Sequence, residues 1–212
     1  MRLERLEATQ KPDKIRAVFD GDTLTVSAPL CVQFSLCAGM ELDEAEMAAL
    51  KAAVAKEAAR ERAVRILTAS AVSERELEKR LTQKGVLEQD AADAIGWLKE
   101  HRFLDDAATA AQLVDSAVRK GYGRARIKNI LYEKGIPREL WDEALARIPQ
   151  MDDAVDRFLA QRLRGRPVDE KTIKKTVDAL LRRGFSYGEV RDALRRYEQN
   201  LESEETMTEE LE

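Results

Sequence analysis

Two clusters of cations are the residues in this chain best suited to chemistry, and the chemistry is anion binding. Arg119, Lys120, Arg124, Arg126 and Lys128 crowd around Tyr122, and Lys174, Lys175, Arg182 and Arg183 follow near the C-terminus. A tyrosine amid cations suits a phosphate-bearing strand or an acidic protein groove. At helical spacing Lys175, Arg182 and Arg183 share a face. Residues 116–138 hold seven Lys/Arg against the single Glu133, and residues 157–197 hold twelve against five Asp/Glu. Residues 201–212 carry six Glu and no base, so the formal net charge of −4 conceals two basic regions. Solvation accounts for any one of these cations, whereas the set can steer an acidic partner from a distance.

Catalytic constellations are hard to find. His101 is the only histidine and Cys31 and Cys37 the only cysteines, so no tetrahedral Cys/His zinc site can be assembled within one chain. Both cysteines read as reduced packing residues; a redox pair is the alternative, to which their spacing lends no special support. Gly121-Tyr122-Gly123 is too short for a phosphate loop and follows a helical pattern instead of a strand, so it reads as a helix break. Asp105-Asp106 and Asp152-Asp153 stand at equivalent helix starts, where capping of free N–H groups explains them. With no nucleophile elbow either, the chain is expected not to be an enzyme and to use no cofactor or metal.

The elements that position the cations are helices. Hydrophobic residues make up 44% of the 212, aromatics only 5% and charged residues 36%, a composition of solvated helices with narrow apolar stripes. A basic helical segment stops at a single glycine three times, at Gly85, Gly135 and Gly184, which lie 50 and 49 residues apart. Four residues before each glycine stand Leu81, Leu131 and Leu180, and one after stand Val86, Ile136 and Phe185. Ten after come Ile95, Leu145 and Leu194, and immediately before are Lys84, Lys134 and Arg183, cations that complement a helix C-terminus.

The predicted fold is therefore mainly α, a tandem array of three three-helix repeats forming an elongated curved molecule, with a small N-terminal β-ribbon. Residues 16–19 and 23–26 flank the Asp20-Gly21 turn signal and residues 3–9 offer a third strand, a ribbon that needs the following helices to dock on. Asp43 and Glu46 form a capping box at the start of one long helix or two abutting ones. Predicted boundaries are a β-ribbon at 1–42, a linker helix and first repeat at 43–104, a second repeat at 105–150 and a third at 151–199. An acidic disordered tail is expected at 200–212. Pro137 is expected in the first turn of the second repeat's last helix, and Gly165-Arg166-Pro167 as a break in the third. Arg2, Glu4, Arg5 and Glu7 interrupt any signal-like apolar run and no stretch is long enough to span a bilayer, so a soluble, cytoplasmic protein is expected.

These residues resemble the RecX family of recombination regulators. Similar to the family pattern are Phe103-Leu104-Asp105-Asp106, then Gly121-Tyr122-Gly123-Arg124 through Ile127, then Leu131-Tyr132-Glu133-Lys134-Gly135-Ile136, and finally Leu181-Arg182-Arg183-Gly184-Phe185-Ser186-Tyr187. The likeness spans about residues 15–197. It departs at Thr109, where the family usually has an aromatic. The resemblance implies a non-enzymatic modulator of the RecA recombinase that binds RecA filaments on DNA and inhibits or disassembles them, with effects on homologous recombination, DNA repair and the SOS response. It implies contact with the filament, with single-stranded DNA touched weakly or through it, no membrane, and a monomer. A helical-repeat nucleic-acid-binding protein that acts without a recombinase is the alternative. Arg119, Lys120, Tyr122, Arg124, Arg126, Lys128, Lys174, Lys175, Arg182 and Arg183 are the expected contact residues, assigned by charge clustering.

Overall fold

The computed structural model describes residues 1–150, 152–164 and 169–209, with side chains described as far as residue 200. The chain divides into two compact units: Met1–Ser70 with Leu77–Leu104, and Ala71–Glu76 with Asp105–Glu212. Most of it is helical, beside one small sheet. No helix among the described residues is long and apolar enough to cross a membrane.

In the first unit, β1 (Leu3–Ala8), β2 (Lys14–Phe19) and β3 (Asp22–Ser27) form an antiparallel sheet in that order. Phe19 pairs with Asp22, so Asp20-Gly21 is a two-residue hairpin loop, with Gly21 at φ +87°. Ser27 then caps a short helix that the sequence reading missed, α1 (Ala28–Gln33). Asp43 opens α2 (Glu44–Ala69), one unbroken helix whose capping box with Glu46 is fully made. The ribbon docks as a three-stranded sheet must: Leu3, Ala17, Phe19 and Val26 share a core with Leu42, Met47 and Leu50. Lys14 reaches from β2 to both Glu57 and Glu61 on α2. After α3 (Glu74–Gln83), whose first residues belong to the second unit, α4 (Glu88–Glu100) packs along α2. Leu77, Leu81, Ile95 and Leu98 are buried.

The second unit continues with α5 (Asp106–Arg119), capped by the Asp105 carboxylate, α6 (Arg124–Glu133) and α7 (Trp141–Ala146). Pro137 does not sit in the first turn of α7. It precedes a 3-10 turn, Arg138–Leu140, because its fixed φ starts a tight turn that α7 then continues. Ala110, Val114, Ile127, Leu131, Ile136 and Leu145 make the core of this part. Next come α8 (Asp152–Leu163), α9 (Glu170–Arg182), capped by Asp169, and α10 (Tyr187–Glu209), opened by a Ser186–Glu189 capping box. Their core is Val155, Leu159, Leu163, Leu180, Phe185, Val190 and Ala193. The segment from residue 200 that reads as a disordered tail continues α10 to Glu209. It holds no glycine or proline to stop a helix, and glutamate is a good helix former. The Gly165-Arg166-Pro167 break lies outside the described residues.

The three glycine turns are made by the same bonds. The N–H of Val86, Ile136 and Phe185 donates to the carbonyl of Leu81, Leu131 and Leu180 at 3.1, 3.0 and 3.2 Å. Each glycine N–H donates to the next carbonyl along, that of Thr82, Tyr132 or Leu181, at 2.9 Å. This is the Schellman closure of a helix, and it requires positive φ, here +79°, +69° and +88°. Identical closure at identical register is the physical content of the repeat.

Candidate binding interface

The two basic segments meet within the second unit. The Gly123 N–H donates to the Arg183 carbonyl at 2.8 Å, and the Ala125 N–H to the Gly184 carbonyl at 3.1 Å. The start of α6 is thereby fixed on the turn that ends α9. The approach is so close that a Cβ added at Gly184 would overlap the backbone of Arg126, and one at Gly123 would overlap the backbone of Gly184. Only glycine at both positions allows it. An analogous contact forms one repeat earlier, where the Ser73 hydroxyl donates to the Lys134 carbonyl. Ser73 and Gly123 each stand twelve residues before a repeat glycine, so the same two positions are joined twice.

The cation before each of these glycines is a fastener. Lys134 Nζ donates to both carboxylate oxygens of Glu76 at 3.2 Å. Arg183 Nη1 donates to the Lys120 carbonyl at 3.2 Å and approaches that of Gly121 at 3.5 Å, while its guanidinium lies 4.8 Å from the Phe158 ring centroid. Arg183 therefore commits Nη1 to the fold. Arg126 is also engaged, through an ion pair with Glu133 at 3.1 Å, and Arg124 Nη1 approaches the Leu145 carbonyl at 3.4 Å.

The other candidates stand freer. Lys120, Lys128, Lys174, Lys175 and Arg182 are exposed and have no ion-pair partner among the described residues. Arg119 is exposed beside Asp115, whose carboxyl is held below the usual carboxylate range mainly by its hydrogen bond from Arg147. Lys171, absent from the sequence candidates, is exposed four residues before Lys175 on α9 and extends its stripe. Hydrogen bonds from Thr172 likewise depress the capping Asp169 carboxyl, with Lys175 adding a smaller attraction. No group of His, Cys, Asp and Glu among the described residues is arranged to hold a metal.

Tyr122 does not stand out among the cations. It is half-buried against the core of α5, α6 and α7, and its N–H closes α5 on the Ala117 carbonyl at 3.1 Å. The repeat register does not decide this by itself, since the equivalent position before Gly85 is the buried Val72 and that before Gly184 the exposed Lys171. The tyrosines that face outward are Tyr132, 69% exposed and one turn beyond Lys128 on α6, and Tyr187, 67% exposed at the start of α10.

Comparison with known proteins fits this architecture. Residues 59–98 match the family model described as the first three-helix domain of RecX, and residues 105–145 match that of the second. Proteins named "Regulatory protein RecX" from Escherichia coli O139:H28 and Escherichia fergusonii are 36% identical over 151 residues, which is 65% of this chain and 90% of each relative. A crystal structure of regulatory protein RecX superposes with a TM-score of 0.66 at 24% identity, covering 90% of this chain and 98% of that one. For RecX from Lactobacillus salivarius the TM-score is 0.62 at 19% identity, over 69% and 99%. Repeated helix closure, the order of its motifs and these relatives agree: the chain belongs to the RecX family of regulatory proteins.

Proposed function

We propose that this chain modulates the RecA recombinase: it binds RecA filaments on DNA, inhibits or disassembles them, and so tunes homologous recombination, DNA repair and the SOS response. It does so as a monomer in the cytoplasm, by binding and without catalysing a reaction. Membership of a family of regulators supports the class. The observation that carries the mechanism is the junction of α6 with the α9 turn, where two backbone hydrogen bonds fix one basic segment on another.

Because of that junction, Lys120 and Lys128 beside α6 and Lys174, Lys175 and Arg182 on α9 belong to one body. Contacts that are weak singly then act together, because the first to form raises the effective concentration of the rest. Arg119 and Arg124 add charge at the same end of α5 and α6. Arg126, Arg183 and Tyr122 support the surface from behind, through their ion pair, carbonyl bonds and core packing.

The test is titration of the purified protein onto bare single-stranded DNA and onto RecA filaments at several salt concentrations. Preference for the filament that persists near physiological salt is expected. Equal or tighter binding to bare DNA, with a steep loss of affinity as salt rises, overturns it in favour of a nucleic-acid-binding protein that needs no recombinase.

A further inference from the structure

The turn that ends α4 in the first unit closes like the glycine turns but presents different chemistry. The Phe103 N–H donates to the Leu98 carbonyl at 2.8 Å and the Arg102 N–H to the Lys99 carbonyl at 3.0 Å. Arg102 holds φ +57°, a conformation that glycine adopts at lower cost. The next residue, half-buried or buried at Val86, Ile136 and Phe185, is here Phe103 at 63% exposure. A backbone conformation unfavourable to arginine thus projects a guanidinium and a phenyl ring outward.

Phe103 joins two further rings. Trp97 lies 4.6 Å from His101 and 6.1 Å from Phe103 by centroid, and the His101 and Phe103 planes are within 4° of parallel at 6.4 Å. His101 Nδ1 lies 2.8 Å from the Trp97 carbonyl, which can only accept, so Nδ1–H donates and holds the ring beside Trp97. The Arg60 guanidinium stands 5.3 Å from the Trp97 centroid. Its Nε is buried without a hydrogen-bond partner among the described residues, and Asp93 nearby is paired with Lys56 at 2.7 Å. Rings and two guanidinium groups in one patch match a nucleotide, whose base is a flat π-system and whose phosphate is an anion.

We infer that Trp97, His101 and Phe103 form a stacking platform for an unpaired base of single-stranded nucleic acid, with Arg60 and Arg102 attracting the flanking phosphates. The site lies outside the basic surface assigned to the filament and requires no recombinase.

The test uses the full chain carrying Trp141→Phe, which leaves Trp97 as the only tryptophan. Oligo-dT is expected to quench Trp97 emission, while an abasic oligonucleotide of equal length and charge binds more weakly and does not quench. Phe103→Ala is expected to weaken oligo-dT binding about tenfold and Phe103→Tyr to retain it, since stacking needs a ring. Arg102→Gly keeps the turn closed and is expected to weaken binding with a shallower salt dependence, so it tests the site even if Phe103→Ala fails to fold. Equal affinity for oligo-dT and the abasic strand overturns the proposal. So does a folded Phe103→Ala protein that binds oligo-dT normally; if that protein also loses RecA filaments, the platform docks protein. Filament disassembly by the same variants, read in parallel, tells failure of this site from failure of the filament reading.

Discussion

The turn after α4 and the turn after α9 are closed by the same pair of backbone hydrogen bonds, yet one presents its aromatic residue and the other buries it. Phe185 is 4% exposed and Phe103 is 63% exposed. The residue between helix and aromatic differs as well. Gly184 has no side chain, so the Arg126 backbone can pack directly on it and the turn becomes a joint. Arg102 occupies the equivalent place with a long charged side chain that bars such an approach. A helix-closing motif thus fixes local geometry but not what packs on the turn: a Cβ at Gly85 would meet nothing within 4 Å, whereas one at Gly184 would meet Arg126.

The sharpest way to break this comparison is Gly184→Ala. The new methyl group overlaps the Arg126 backbone and sits at positive φ, so a loss of about 3 kcal/mol or more in urea unfolding is expected. A loss below 1 kcal/mol, within the range of roughly neutral surface changes, would mean that the joint is slack. Arg183→Ala should cost about 1–2 kcal/mol, since it removes the donors to the Lys120 and Gly121 carbonyls and the cation over Phe158. Ser73→Ala tests the analogous contact one repeat earlier, with a loss of about 1 kcal/mol from the unpaired Lys134 carbonyl. Arg102→Gly should change stability in the opposite direction, a gain of about 1 kcal/mol in thermal unfolding, because it relieves the left-handed backbone of a side chain.

Those magnitudes also show what the sequence could and could not reveal. The three repeat glycines, the Asp43 and Asp105 caps and the Asp20-Gly21 hairpin were legible because each is a local rule with a fixed residue type at a fixed offset. The α1 helix escaped because six residues between a strand and a loop carry too little periodicity. Continuation of α10 to Glu209 is hard to read because a run of glutamates suits a solvated helix and a disordered end alike. At the candidate surface, charge clustering named the basic segments but could not tell Arg183 from Arg182. Those neighbours differ only in direction: one donates to carbonyls 62 and 63 residues away, and the other faces out. The half-burial of Tyr122 is of the same kind, since the core it packs against is gathered from three helices. Such distinctions arise from tertiary contacts, which a linear charge count does not contain.

The proposed function rests on cations left free by the α6–α9 junction engaging the RecA filament. Its most direct test is the rate of filament disassembly by the Lys175→Glu/Arg182→Glu double variant. Both side chains are exposed and unpaired among the described residues, so thermal unfolding should stay within about 0.5 kcal/mol of the parent protein. A drop of about tenfold or more in disassembly rate is expected, from several lost charge contacts of about 1 kcal/mol each. Disassembly at the parent rate by the correctly folded variant would contradict it.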